Sequence, residues 1–239
     1  GAYPEAYIGP MEDWLSEFEL DLGNGETFRP YDPDAPQRVI DYARDRGYVV
    51  PDDPEVLDRT FGLGWYKYAP EAATKLLEKN GFSKNNDGEW LLPDGSKWEI
   101  EILTDTNTSH HSFLNANAAA QQWKQFGIDT VAVPSESESQ LYGNGQFGVG
   151  SGWPAYEPWG AGVDLYRTLD RWNSEYVRPI GTRTQGHDTH WSSSEMDQVI
   201  ADLRNTDPSD REATIAVGME GLKLAIEAMP GIPVYGYTG

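Results

Sequence analysis

Between residues 98 and 153 the apolar pattern switches repeatedly between the period of a strand and that of a helix. No other feature of the chain constrains its fold as much. Trp98, Ile100 and Ile102 alternate with Glu99 and Glu101, the two-residue period of a half-buried strand. Residues 110–126 then read as a helix stopped by Gly127, residues 128–133 as a short β-branched strand, 136–142 as a weaker helix and 146–153 as a Gly-rich strand. Strand, helix, strand, helix, strand is the order of βαβ units. It predicts an α/β fold with a mixed or parallel sheet flanked by helices.

The flanking sequence adds further elements. Pro70 in a first turn, the stripe Ala72, Ala73, Leu76, Leu77 and a stop at Gly81 mark a helix. The turns Asn86-Asp87-Gly88 and Pro93-Asp94-Gly95 enclose a short strand and form a hairpin that feeds the strand from Trp98. Beyond the Gly-rich strand, helices are expected over 161–172, over 194–204 with Ser194 as its cap, and over 210–229, stopped by Pro230-Gly231. A final apolar run, 232–237, reads as a strand leaving the domain. The first sixty-odd residues, with turn dipeptides at Asn24-Gly25 and Asp32-Pro33, read mostly as ordered loop. One helix is expected there, over 35–46, from the stripe Val39, Tyr42, Ala43 and the stop Gly47. The expected organisation is a loop-rich arm, 1–66, packed on an α/β ligand-binding lobe, 67–239, the two making one structural domain. An arm of this kind is usually functional or borrowed from a larger assembly.

Charge and composition remove several classes of function. Eighteen Lys and Arg against thirty-nine Asp and Glu give a net charge of −21, which repels phosphate backbones and anionic membranes and argues against nucleic acid as a partner. With no cysteine there is no thiol nucleophile, disulfide, Cys-ligated zinc or iron–sulfur cluster. At 239 residues the chain is long enough to bury a substantial core without such staples. Hydrophobic residues make up only 38%, but 12% aromatics, nine of them Trp, are too many for a disordered acidic chain. No apolar window has the length of a membrane span, and the N-terminus lacks the basic, apolar and small-residue series of a signal peptide. A soluble piece, processed or excised, is expected.

Several segments carry a family resemblance. Tyr68-Ala69-Pro70-Glu71-Ala72-Ala73-Thr74-Lys75-Leu76-Leu77, then Asn80-Gly81-Phe82, Asp87-Gly88-Glu89-Trp90 and Asp94-Gly95-Ser96-Lys97-Trp98, resemble a signature of the family 5 extracellular solute-binding proteins. These are receptors of ABC importers for oligopeptides, nickel chelates and oligosaccharides. Gln121, Trp123, Phe126, Gly127 and Ile128 are similar to the family's helix-to-strand junction, and residues 147–153 to its strand ending in Gly-Trp. Ser194-Glu195-Met196-Asp197-Gln198, Asp210-Arg211 and Pro230-Gly231-Ile232-Pro233 are similar to its C-terminal helices and return strand. The resemblance covers roughly 68–160 and 190–235; before Trp65 it is weak and rests mainly on Pro4-Glu5-Ala6-Tyr7-Ile8-Gly9-Pro10. Family members are about twice this length or more and have two lobes that close on a ligand. The resemblance therefore implies one lobe of a periplasmic-binding-protein-like receptor, non-catalytic and without cofactor. Its partners would be a missing second lobe and an ABC permease, and its location periplasmic or extracellular, membrane-associated through the importer.

The residues themselves suggest a solute. Trp153, Tyr156, Glu157 and Trp159 lie in a Pro- and Gly-fixed segment at a strand's carboxyl end, where open α/β sheets bind ligands. A sugar ring offers an apolar face to an aromatic plate and a hydroxyl rim to carboxylates or amides. Trp65 and Tyr66 offer a second stacking surface, and Asn107 ends the strand at Leu103 with an amide for hydroxyls. The competing account of these rings is packing in the lobe's own core. Peptide-binding family members carry an Asp three residues after the Gly-Trp, where it holds the peptide ammonium. That position here is Tyr156, with Glu157 one residue later, so the resemblance favours an oligosaccharide and keeps an oligopeptide as the alternative.

Other chemistries have less support. His110-His111, and His187 with Asp188 and His190, each fall short of the three or four convergent ligands that a zinc site needs. A glycoside hydrolase would pair Glu157 with Asp164 or Asp188, but in a chain with so many carboxylates a pair carries little information, and no eight-fold βα repeat, Gly-x-Ser-x-Gly elbow or phosphate loop is present. A protein-interaction domain is the third reading, although its many surface charges suit a solvated face better than a docking code.

Overall fold

The structure is a computed structural model and describes residues 5–61, 65–152, 165–184 and 189–232. The chain forms two compact units, Gly1–Asn80 and Gly81–Gly239.

The first unit holds more regular structure than the turn-rich sequence suggests. Helix α1, Glu5–Glu17, contains Pro10, which lacks the N–H an interior helical position donates. It forms nonetheless because Tyr7, Met11 and Leu15, one helical turn apart, are all buried, and packing outweighs the local penalty. Strands β1, Leu20–Gly23, and β2, Glu26–Phe28, make a hairpin around Asn24 (φ 53°) and Gly25 (φ 79°), two successive left-handed residues that match the twist of paired strands. The pair β3, Tyr31–Asp32, and β4, Trp65–Tyr66, is antiparallel, with Tyr31 opposite Tyr66. Helix α2, Ala35–Asp45, stands where the sequence placed a helix, and α3, Pro54–Phe61, is an addition to it. Helix α4, Pro70–Lys79, packs on β1, with Lys79 2.9 Å from Asp21 and Lys75 paired with Glu26.

The second unit begins with a hairpin of β5, Ser83–Lys84, and β6, Trp90–Leu91. Its turn is held by Asn85 Oδ1, which accepts from the backbone N–H groups of Asp87 and Glu89. Trp90 is fully buried; its backbone N–H donates to Gly127 O and its Nε1 to Phe126 O, tying the hairpin to the end of a helix. There follow β7, Glu99–Thr104, α5, His111–Phe126, β8, Asp129–Pro134, α6, Glu138–Gly143, and β9, Val149–Gly150. The sheet is wholly parallel, in the order β8-β7-β9. Small residues let α5 lie close on it: Ala116 and Ala120 bury with Ile102, and Ile100, Ala119, Trp123, Ala132 and Val149 pack around them.

The remainder is helical. A short helix α7, Tyr166–Leu169, runs into a 3-10 turn, Asp170–Trp172, and a second 3-10 turn spans Ser174–Tyr176. Residues 161–164 of the helix expected there lie outside the described residues. Helices α8, Ser194–Asn205, and α9, Arg211–Ala228, pack together and bury Met196, Ile200, Leu203, Met219 and Leu222. The cap of α8 is Ser193, one residue before the Ser194 expected: its side chain accepts from Met196 N–H, while Ser194 Oγ turns to Glu195. Asp210 caps α9 in the same way, and Met229 (φ 46°) ends it just before Pro230. The strand expected over 232–237 lies, from residue 233, outside the described residues.

Candidate solute site at the carboxyl ends of the parallel strands

The chain leaves β7 toward β8 on one side, then crosses back by way of α6 to place β9 on the other side of β7. The sense of the connections therefore changes at β7/β9, and a crevice opens beyond the carboxyl ends of two such strands in open α/β sheets. At this end Ser151 N–H donates to Leu103 O (2.9 Å), and Ser135 N–H to Thr104 O (2.9 Å). Tyr142, from α6, lies with its hydroxyl 2.8 Å from Leu103 O and 3.1 Å from Ser151 O, which fastens the end of β9 to that of β7. Its ring passes so close to Gly150 that a Cβ there would fall 2.3 Å from Cε1, so glycine is required. Ser151 Oγ donates to Ser112 O in the first turn of α5. Thr104 is fully buried, and its hydroxyl has no hydrogen-bond partner among the described residues.

The loop after β7 is a small hydrogen-bonded unit. Asp105 Oδ1 accepts from Asn107 N–H (2.8 Å), Asn107 Oδ1 accepts from Ser109 N–H (3.1 Å), and Asp105 Oδ2 lies 2.5 Å from His110 Nδ1. Partial burial of Asp105 works against its charge, yet the bonds from His110, Asn107 and Ser112 hold its carboxyl below the usual aspartate range. Asn107 is thus exposed at the carboxyl end of β7 with its oxygen committed to the turn and its Nδ2 hydrogens without a partner among the described residues.

Of the other residues expected in the site, Trp65 and Tyr66 form β4 in the first unit, where Tyr66 is exposed. Trp153, Tyr156, Glu157 and Trp159 follow β9 directly in the chain and lie outside the described residues. So do Asp164, His187 and Asp188. No three His, Asp or Glu among the described residues are placed to hold a metal ion. Sequence reading missed Tyr142 and the Asp105–His110 pair; the spacing Asp-x-Asn-x-Ser-His, with its alternating turn formers, is the signal that carried the second.

No protein-family model matches the chain, and no curated protein sequence does so significantly. Solved structures do. A mannohexaose-bound periplasmic oligopeptide-binding protein of an ABC transporter from Thermotoga maritima superposes with a TM-score of 0.51 at 18% identity, over 83% of this chain and 38% of that one. NikA from Brucella suis in complex with Fe(III)-EDTA gives 0.52 at 18% over the same shares. NikZ from Campylobacter jejuni in complex with Ni(L-His) gives 0.51 at 22%, over 70% of this chain and 31% of that one. The fold is similar to part of the fold of these solute-binding proteins. The chain spans between 31% and 38% of the length of these receptors. No helix among the described residues is long and apolar enough to cross a membrane.

Proposed function

We propose that this chain is one lobe of the substrate-binding component of an ABC importer, with residues 1–66 as its arm, and that it captures an extracellular oligosaccharide without chemistry. The observation that carries the reading is the parallel order β8-β7-β9, with β9 ending at Gly150 immediately before the aromatic segment of Trp153, Tyr156, Glu157 and Trp159. Open α/β sheets bind ligands beyond the carboxyl ends of strands at such a switch point, which supports a site beyond β7 and β9, and the segment that follows β9 has the residue types a sugar needs: rings for its face, a carboxylate for its rim. Asn107, at the end of β7, adds an amide. The mannohexaose held by the Thermotoga maritima protein supports a sugar, and its description as oligopeptide-binding keeps the peptide alternative in view. Closure of a second lobe over the bound solute would complete the site and present the closed form to a membrane permease.

The test is a tryptophan-fluorescence titration with matched panels of neutral oligosaccharides and short peptides. A saturable response to oligosaccharides alone, abolished in Trp153→Ala, is the expected result. A response to peptides alone, lost in Glu157→Gln, would replace the sugar by a peptide whose ammonium Glu157 holds. Turnover of an aryl glycoside that disappears in Glu157→Gln would overturn the receptor reading in favour of a hydrolase.

A further inference from the structure

The charge of the chain reverses over one short stretch. Residues 165–184 carry four arginines against one aspartate and one glutamate, in a protein whose net charge is −21. The fold gathers these arginines around a single open basin of about 590 Å³, in the size range of small-ligand sites. Arg167 and Arg171 come from the helical turns around Leu169, and Arg178 and Arg183 from the segment that follows. Arg167, Arg178 and Arg183 are exposed and have no carboxylate within ion-pair distance among the described residues. Among the described residues Arg178 donates only to the backbone oxygens of Glu175 and Val177.

The one acid lining the basin is already occupied. Asp170 Oδ1 accepts from Arg204 Nη2 (3.1 Å) and Asn173 Nδ2 (3.2 Å), and its Oδ2 from the Tyr176 hydroxyl (2.8 Å). Arg204, outside the lining, neutralises it. The far wall is fixed by backbone bonds to the end of α6: Gly181 N–H donates to Asn144 O (2.8 Å), and Thr184 N–H to Gly143 O (2.7 Å). Thr184 itself is buried. The far wall is therefore set by main-chain bonds, while Arg167, Arg178 and Arg183 face the basin without a carboxylate partner among the described residues.

We propose that this basin binds a small multivalent oxyanion, a carboxylate or phosphate group carried by a small solute. Guanidinium forks match the paired oxygens of either group and bind them bidentately. Three forks with no carboxylate partner among the described residues, set around one hollow, supply more charge than a single monovalent anion can use. Overall negative charge opposes anion approach at long range, but at about 0.15 M salt it is screened beyond roughly 8 Å, while the nearby arginines act in full. The site uses none of the residues assigned to the solute crevice and stands whether or not that reading holds.

The experiment is calorimetric titration of the full chain at about 0.15 M salt with two probes, citrate and inorganic phosphate. Saturable one-to-one binding of at least one of them is expected, and the tighter of the two assigns the group. The double variant Arg167→Gln/Arg183→Gln should weaken it about tenfold or more, as loss of charge-assisted bonds does. Arg183→Lys, which keeps the charge and loses the fork, should weaken it severalfold and serves if the double variant misfolds. Arg29→Gln, the loss of one positive charge in the first unit, should leave it unchanged. No saturable binding of either probe, or the same weakening in Arg29→Gln, or full affinity in Arg183→Lys, would overturn the site.

Discussion

At the scale of single residues, glycines report where backbone geometry is dictated by packing. Gly127 sits at φ 103° just beyond α5, and a Cβ there would lie 2.5 Å from Gly88 O, the turn that carries buried Trp90. Gly127→Ala is expected to cost more than about 1 kcal/mol in urea unfolding, from the left-handed backbone and the clash together. Gly148→Ala, where nothing lies within 4 Å of the added methyl and φ is unstrained, should stay within about 0.5 kcal/mol of the parent. A sequence shows Gly127 as a helix stop; it does not show that a second hairpin presses on it. Asp105 yields a pH prediction. Its folded carboxyl titrates below the ordinary aspartate value, so its contribution is full above about pH 4 and is lost as pH falls through the lowered value. Asp105→Asn should flatten the fall of the urea midpoint below pH 4, and an unchanged acid slope would show that Asp105 is not linked to folding.

At the scale of elements, the helices with strong stops and the βαβ run were legible because local signals and tertiary packing agree there. Helix α5 ends at Phe126 before Gly127, and β7 begins with the Glu99, Ile100, Glu101 alternation. Where they disagree, sequence reading failed. The first sixty-odd residues read mostly as ordered loop, yet Glu5–Glu17 is a helix despite Pro10, because Tyr7, Met11 and Leu15 are buried along one of its faces. The hairpin at Asn24-Gly25 was visible as a turn, but strands of three and four residues carry too little pattern to be read. The cap of α8 is another case: Ser192, Ser193 and Ser194 follow one another in the sequence, and the geometry selects Ser193. Ser193→Ala should therefore cost about 0.5–2 kcal/mol, and Ser194→Ala a few tenths or less; thermal unfolding of the two variants separates them.

At the scale of the whole molecule, the chain's likeness is to part of a larger receptor. If the solute is gripped between two lobes, this chain offers one wall of the cleft. It is expected to bind an oligosaccharide much more weakly than a two-lobed receptor does, because the contacts and desolvation from the opposing wall are missing. Calorimetry on this chain and on a form extended to receptor length measures the difference, and equal tight affinity would exclude a shared cleft. A second whole-molecule consequence comes from the charge of −21. Self-repulsion destabilises the compact state and salt screens it, so the melting temperature should rise between low salt and about 0.15 M; a flat response would mean that local ion pairs such as Lys79–Asp21 offset the repulsion.

The order of strands and helices between Trp98 and Gly150, the stop at Gly127 and the strongly acidic balance are properties of the sequence alone, because each depends on neighbours a few residues apart or on a sum over the chain. Tertiary structure decided the rest. It set β9 beside β7 rather than β8, turned a proline-containing segment into a buried helix, and drew four arginines of an acidic chain around one basin. Each of these joins residues whose meeting depends on the long-range packing of the core, and no local pattern records that energy.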